Sequence, residues 1–563
     1  MTSAAIDVEK GQATTTNNEQ STIDSASQTA STAAVTAASE KLGRHDDDDA
    51  APSSDGGNDE HDHEHDLRQT VTTRTTRSVA EALRALENFD TAPENARNWS
   101  NRTKWATVTT VALTAFVSTC GSTMAVPGIP YAMRDFGTTN EKVGILIAGC
   151  YVLGMGTGPF LFAPMSELYG RQPAYMLSQT LFVIFCMAAS LAPNMPGLII
   201  LRFLCGCFGS VGPTLGVATC ADMFIPQERG RPVSLYAIGP MMGPPLGSMF
   251  GYWIVFGGWR WLHWAITILG GVNWILLNFF ARETFAPAIQ KKFTYRVRNP
   301  PPADAGPLRR WLNDFKWMGA MVSADQAKTA FSSAFSRPPR LLFMNPVASI
   351  SSVYYAYIFS ILYLFVVALN KLFGRAPYND PKLFSYLWPQ ATVGLSYTGM
   401  ALGFFAAAMT AALYQDKIYK YMSKRNGDNG RPEYRLLLTQ VGITLMPIGL
   451  FIFGWTAHAE VHWIAPMIGQ VILSYGTMLA FNTLQAFLVD AFFPYSAAAV
   501  AGAVFVRSAL ACIISVFAPQ MFSVMGWGWG GTFLGLVAAT GIPLPTIMFK
   551  YGQRLRERFK FKG

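Results

Sequence analysis

Apolar and polar positions along this chain fall into long blocks rather than alternating at strand or amphipathic-helix period. From Trp105 onward, apolar runs recur near 105–127, 143–163, 172–192, 197–220, 232–256, 262–281, 344–369, 387–413, 436–456, 461–484, 496–518 and 529–549. Each has roughly the 20 residues a helix needs to cross the hydrocarbon core of a bilayer. Inside lipid every backbone N–H and C=O must be satisfied within the protein, and helices do this segment by segment. The polar stretch 282–343, with Pro300–Pro302 and many bases, separates six runs from six. The pattern predicts an all-α integral membrane protein with twelve transmembrane helices in two six-helix bundles, 101–281 and 344–549. Segment 282–343 would be a cytoplasmic central loop and 550–563 a basic cytoplasmic tail.

Residues 1–100 read differently. They are rich in Ser, Thr, Ala and Asp, contain no tyrosine, and hold the runs His45–Asp49 (HDDDD) and His61–Asp66 (HDHEHD). Such a segment buries too little apolar surface to offset its ordering entropy and is expected to be disordered. Its histidine and acidic runs are read as a solvated spacer rather than a metal site, so no metal is expected. Only 79–90 has the spacing of a short amphipathic helix. No signal peptide precedes the first apolar run.

Composition sharpens the class. Half the residues are hydrophobic and 14% charged, against about a quarter charged in soluble domains. The net charge of +9 is divided unevenly: residues 1–100 carry 8 Lys/Arg against 19 Asp/Glu, and the remainder carries 36 against 16. Within the remainder the bases cluster, eleven from Arg282 to Arg340, six from Lys417 to Arg435 and six from Lys550 to Lys562, while the loops after the third, ninth and eleventh runs carry none. Positive loops stay cytoplasmic, so both termini are assigned to that side and the sequons at Asn98 and Asn101 should go unglycosylated. The basic surplus belongs to membrane loops, and no nucleic-acid partner is expected. The seven cysteines lie in or beside apolar runs, and Cys205-Gly-Cys207 is read as small apolar packing rather than a redox pair.

The chemistry argues against an enzyme. An intramembrane acyltransferase or protease needs a constellation at membrane depth, and His263, His458 and His462 fall near the outer ends of runs without acidic partners. No cofactor is implied. Three stretches carry other signals. After the second run, Ala163-Pro-Met-Ser-Glu167-Leu-Tyr-Gly170-Arg171 makes a tight turn with Glu167 and Arg171 four apart. Arg202 lies inside the fourth run, where a charge costs about 2.5 kcal/mol or more unless it faces the bundle interior. Asp222 stands at that run's cytoplasmic end. In the fifth run, Gly239, Gly243 and Gly247 recur every four residues beside Pro240 and Pro244, a smooth stripe for close helix approach.

Taken in order, Ser166-Glu-Leu-Tyr-Gly-Arg171, Arg202 with Gly206 and Ser210, and Gly239-Pro-x-x-Gly243-Pro-x-x-Gly247 resemble three signature motifs of the major facilitator superfamily. The series is similar to the fungal twelve-span drug:proton antiporters of multidrug and metabolite efflux. Trp259-Arg-Trp261, Glu283-Thr-Phe-Ala-Pro287, Pro432-Glu-Tyr-Arg435 and Arg507-Ser508 match as well, and the likeness spans about 100–560. It implies that Glu167, Gly170 and Arg171 gate the cytoplasmic side, that Arg202 takes part in proton coupling, and that the fifth-run motif marks an antiporter. Leu168 and Gln172 replace usual basic residues of the gating motif, leaving fewer charges to hold the gate. The proton carrier is left among Glu167, Asp222 and Arg202 acting with water.

No Asp or Glu interrupts the apolar runs, which disfavours a cationic cargo. Arg202 and Arg507 with aromatic walls suit neutral or anionic amphiphiles. Asn482 and Gln485, one turn apart, are candidates for contacting cargo, and Tyr354, Tyr355, Tyr357 and Tyr363 with Phe359 for the cavity wall. The expectation is a monomeric plasma-membrane transporter in a lipid bilayer, exchanging protons for a small-molecule substrate, a hydrophobic or weakly acidic metabolite or xenobiotic. A dedicated exporter of one endogenous secondary metabolite, organic acid or glycolipid is the alternative. A polyamine exporter, an importer, a non-transporting receptor and a vacuolar-membrane location rank lower.

Overall fold

The structure is a computed structural model describing residues 89–225, 228, 230–298, 322–378, 380–427, 430–492 and 496–559. The histidine and acidic runs and nearly all of 79–90 lie outside these residues.

Twelve spans are present. In the first half they are α1 (Asn101–Met124), α2 (Glu141–Leu168), α3 (Arg171–Ser190), α4 (Met195–Gly209 continuing as Val211–Met223), α5 (Gly230–Ile254) and α6 (Trp259–Phe280). The second half holds α7 (Pro346–Phe373), α8 (Thr398–Arg425), α9 (Leu436–His458) and α10 (Ile464–Ala491). Then Ser496–Thr540 bends at Gly526, whose φ of 72° suits glycine. The part before the bend is α11, and the part after it, with Pro543–Arg558, is α12. Ten helical stretches among the described residues are long and apolar enough to cross a bilayer, and the stretch Ala498–Arg558 contains both α11 and α12. The helix α5 is not among the ten, because its glycines and prolines dilute its hydropathy.

Large apolar side chains such as Phe279, Val524 and Leu402 remain exposed on the outer surfaces of spans. Without water around a span, the hydrophobic effect does not drive helix against helix, and small residues set the packing. This is visible in α5: Cβ atoms at Gly239, Gly243 and Gly247 would lie 2.3 Å from the Ala112 carbonyl oxygen, 2.0 Å from Thr119 Oγ1 and 2.5 Å from the Cys120 carbonyl oxygen, all on α1. The Thr123 hydroxyl donates to the Pro244 carbonyl at 2.7 Å, a further tie of α1 to the proline-bearing stretch of α5.

Three boundaries differ from the sequence reading. Residues 89–98, inside the segment expected to be disordered, are structured: Asn95 caps the short helix Ala96–Asn98 and its side-chain N–H reaches the Phe89 carbonyl at 3.2 Å. The central segment contains helices Ala286–Arg298 and Ala324–Met344, the second opened by a capping box of Ser323 and Gln326. Phe335 from that helix stacks on Phe160 of α2, centroids 5.6 Å apart, and Gly502 of α11 meets Pro338 and Leu342. The eighth span runs Gln390–Arg425, starting close to the expected 387 and ending well past 413. Before it, residues 384–388 lay Tyr386 and Trp388 on Phe373, and Trp388 on Trp463, a cap over span ends.

Candidate transport pathway

The two faces of the bundle are built differently. On the face bearing the central segment, here the linker face, Arg171 opens α3. Its Nε lies 3.1 Å from Asp222 Oδ2 at the end of α4, and an Nη donates to the Ser166 hydroxyl at 2.7 Å. The Thr284 hydroxyl donates to the same Asp222 oxygen at 3.3 Å. Glu283 accepts backbone N–H groups from Arg171 at 2.8 Å, Gln172 at 3.0 Å and Phe285 at 2.9 Å. Gly170 makes that approach possible: its φ is 99°, and a Cβ there would lie 2.3 Å from Glu283 Oε2. Burial pushes the Glu283 carboxyl above its ordinary range, opposed by those N–H groups and by the Arg171 charge. Glu167 is exposed at the end of α2. The partner of Arg171 is therefore Asp222, and neutral Gln172 adds a donor, Nε2 to the Ala281 carbonyl at 3.1 Å.

The second half repeats this plan. Arg435 before α9 pairs with Asp490 at the end of α10 and reaches Asp416 at 3.7 Å. Arg171 and Asp222 stand 51 positions apart and Arg435 and Asp490 55, a repeat that the sequence reading passed over. Buried Glu433 receives Arg556 at 2.7 Å. Here the carboxylate precedes α9 and the arginine lies in the last turn of α12, the reverse of Arg171 and Glu283.

At the opposite, distal face, polar contacts join the halves. Lys371 reaches Glu141 at 2.9 Å. The Tyr131 hydroxyl donates to Gln390 Oε1 at 2.9 Å, the Tyr378 hydroxyl to the Pro127 carbonyl at 2.9 Å, and the Trp253 indole to the Ala391 carbonyl at 2.9 Å. The Tyr252 hydroxyl donates to Asn370.

Between these faces lie two arginines. Arg202 is buried. Its Nε donates to the Ile147 carbonyl at 3.1 Å, one Nη donates to the Gly121 carbonyl at 2.8 Å, and the guanidinium sits 4.3 Å from the Tyr151 ring centroid. The Tyr151 hydroxyl donates to the Ser118 carbonyl at 2.6 Å. Next to this cage the Tyr363 hydroxyl of α7 bonds Ser122 Oγ of α1 at 2.9 Å, linking the halves. Buried His263 also faces this region, its Nε2 without a hydrogen-bond partner among the described residues.

Arg507 on α11 is half-buried. It donates to the Tyr355 hydroxyl at 3.1 Å and lies 4.4 Å from the Phe359 and 5.2 Å from the Phe481 ring centroids. Tyr355 stacks on Phe481 at 4.6 Å and its hydroxyl donates to Gln485 Oε1 at 3.1 Å. The buried Nε of Arg507 has no partner among the described residues. Asn482 reaches across to the Met241 sulfur of α5 at 3.8 Å. Tyr354 and Tyr357 are elsewhere: the Tyr354 ring fills the space beside Gly541, and the Tyr357 hydroxyl donates to the Leu534 carbonyl at 2.9 Å, both on α12. The structure thus brings Arg507, Gln485, Tyr355, Phe359 and Phe481 together and leaves Tyr354 and Tyr357 out of the group.

Among the described residues no group of three or more His, Cys, Asp or Glu is placed to hold a metal. Cys205 and Cys207 are free and buried, with Cys207 paired to the Thr157 hydroxyl at 3.0 Å.

Two six-helix halves joined by a long segment, with charged clusters at one face and arginines between, define a membrane transporter. The chain belongs to the Major Facilitator Superfamily, whose model matches residues 111–516. It is 32% identical to the MFS-type transporter penM of Penicillium rubens over 84% of this chain and 89% of that one. It is also 32% identical to the efflux pump radE of Floropilus chiversii over 84% of each, which places it among fungal efflux transporters of the superfamily. Solved structures agree on the fold: the proton:xylose symporter XylE superposes with a TM-score of 0.53 at 14% identity, covering 80% of this chain and 96% of that one. The human organic anion transporter MFSD10 gives 0.51 at 13%, covering 78% and 99%.

Proposed function

We propose that this transporter exports a small hydrophobic or weakly acidic metabolite or xenobiotic in exchange for protons, as a monomer in the plasma membrane. The observation that carries the cargo class is the Arg507 site. A guanidinium with an unpaired buried N–H, flanked by three aromatic rings and the Gln485 amide, suits an aromatic or planar molecule bearing an oxygen acceptor or a carboxylate. A cationic cargo would meet repulsion there.

The clustering of Lys and Arg puts the linker face in the cytoplasm. The ties from Lys371, Tyr131 and Tyr378 then close the outer side, and cargo enters from within. Rocking of the halves breaks those ties and opens the outer side. In this scheme Arg202 supplies a fixed positive charge beside the pathway, and Asp222 takes the proton when the linker-face cluster loosens and Arg171 withdraws. The glycine stripe of α5 on α1 keeps that half sealed while it moves, the role that its likeness to the antiporter motif suggests.

The test is flux in sealed proteoliposomes containing the purified chain and an internal pH dye. Addition of an aromatic acid cargo should move protons in the opposite direction, and a protonophore should stop uphill export. Cargo flux that ignores the collapse of the gradient sinks the exchange reading, and binding without counterflow points to a receptor. Asp222→Asn should retain cargo binding and lose proton counterflow. Full counterflow in that variant removes Asp222 from the scheme.

A further inference from the structure

Outside the pathway, the linker face of the second half holds a cavity of about 610 Å³ between the end of α8, the turn before α9 and the last turns of α12. Its walls carry Arg425, Arg431, Lys550 and Arg554, and its floor includes Tyr434 and Phe549, whose rings lie 6.1 Å apart. Two carboxylates also line it: Glu433 takes Arg556 on Oε1 at 2.7 Å and keeps Oε2 without a hydrogen-bond partner among the described residues, and Glu557 accepts from the Gln553 amide at 2.9 Å, so the lining cations outnumber the acids four to two. The four lining cations have no ion-pair partner among the described residues. Four like charges converging on one cavity repel one another, and a polyanion relieves that repulsion.

The surroundings indicate how such an anion arrives. Tyr421, next to lining residue Met422 on α8, and Tyr551, next to Lys550 on α12, are exposed, as are Tyr414 and Ile547 a few residues back along the same helices. The cavity therefore lies at the ends of two spans that carry exposed aromatic and apolar side chains close by in sequence. Basic pockets at that depth suit phosphorylated lipid headgroups, since arginine pairs phosphate oxygens two at a time.

We propose that this cavity is a binding site for a multiply phosphorylated headgroup, presented by an anionic membrane lipid. It is separate from the cargo pathway and does not rest on the exchange reading.

The test uses the full chain in phosphatidylcholine nanodiscs. Binding of short-chain phosphatidylinositol bisphosphate is measured for the wild type, for Arg431→Gln/Arg554→Gln, and for Arg375→Gln on the distal face. Saturable binding weakened tenfold or more in the double variant and unchanged in the Arg375 variant supports the site. Soluble inositol trisphosphate is the second probe. If it binds much more weakly than the lipid, the lipid source stands. If it binds as tightly, the phosphate chemistry stands and the lipid presentation is overturned. Equal lipid binding by wild type and double variant, or no binding of either probe, overturns the site. Because Gln stays polar and keeps the first methylenes of the stem while removing the charge at an open cavity wall, a folded double variant is expected, and elution as wild type on size exclusion checks it. Should it fail to fold, the single variant Arg554→Gln at the end of the last helix carries the same comparison.

Discussion

Arg202 and Arg507 stand in opposite halves of the transporter and are satisfied in opposite ways. Arg202 is buried and held by main-chain carbonyls of α1 and α2 and by one ring face. Arg507 is half-buried, shares one N–H with Tyr355, and keeps a buried Nε unpaired. A charge held chiefly by backbone carbonyls, through Nε and one Nη, acts by its position and its field. A charge with a donor in reserve and aromatic faces around it has something to offer a ligand. The same residue type, at membrane depth where each charge is costly, is thus read as a fixed element in one half and a contact in the other.

Replacing Arg202 should have the largest effect. Arg202→Ala removes the donors to Ile147 and Gly121 and the charge beside Tyr151, and gradient-driven export should fall by on the order of 100-fold, about 2.7 kcal/mol at 1.36 kcal/mol per tenfold. Export at the wild-type rate by a protein that reaches the membrane would remove Arg202 from its role. Gly243→Leu attacks the same cage indirectly. The new side chain meets Thr119 and Cys120, adjacent to the carbonyls that hold Arg202, and overpacking of this kind costs about 1–3 kcal/mol. Proton leak without cargo should rise and coupled export fall by about tenfold, measured in the same vesicles. Tight coupling retained in this variant would separate the stripe from the cage. Arg507→Ala should act on affinity instead, raising KM for an acidic cargo by about tenfold while a neutral cargo changes little, since a hydrogen bond to a charged group is worth about 1.5–3 kcal/mol. A fall in kcat alone, the same for both cargoes, would make Arg507 another fixed charge and erase the contrast.

The contrast was only partly legible in the sequence. Blocky hydropathy located the spans because lipid demands continuous apolar helices, and it cut the eighth span short because the polar turns from Asp416 to Arg425 continue the helix beyond the apolar run. Burial of Arg202 and a close helix contact at the α5 glycines followed from charge cost and four-residue spacing, while α1 as the partner came only from the structure. The tyrosines did not sort themselves. Tyr355, Phe359 and Tyr363 share one helical face by their spacing of four, and Tyr354 and Tyr357 share another. Nothing local tells which face meets Arg507 and which meets α12. The ion pair Arg435–Asp490 was readable in principle, since its two residues stand nearly as far apart as Arg171 and Asp222 in the first half.

The smallest effect concerns a third arginine, Arg171, and asks whether the linker-face cluster behaves like the Arg202 cage, with backbone groups and burial setting its balance. Burial raises the Glu283 carboxyl above the ordinary range despite three backbone N–H groups and Arg171. The folded protein then holds that proton more tightly than the unfolded chain does. This contribution to stability is complete below the unfolded carboxyl value of about 4.3 and is lost as pH rises through the higher folded value. Glu283→Gln cannot titrate, so the stability of the wild type relative to this variant should increase on acidification from neutral pH. Thermal unfolding in detergent at a series of pH values reads the difference directly. A relative stability that falls on acidification would mean that the N–H groups and Arg171 outweigh burial, and that the cluster is held by its charges, unlike the cage around Arg202.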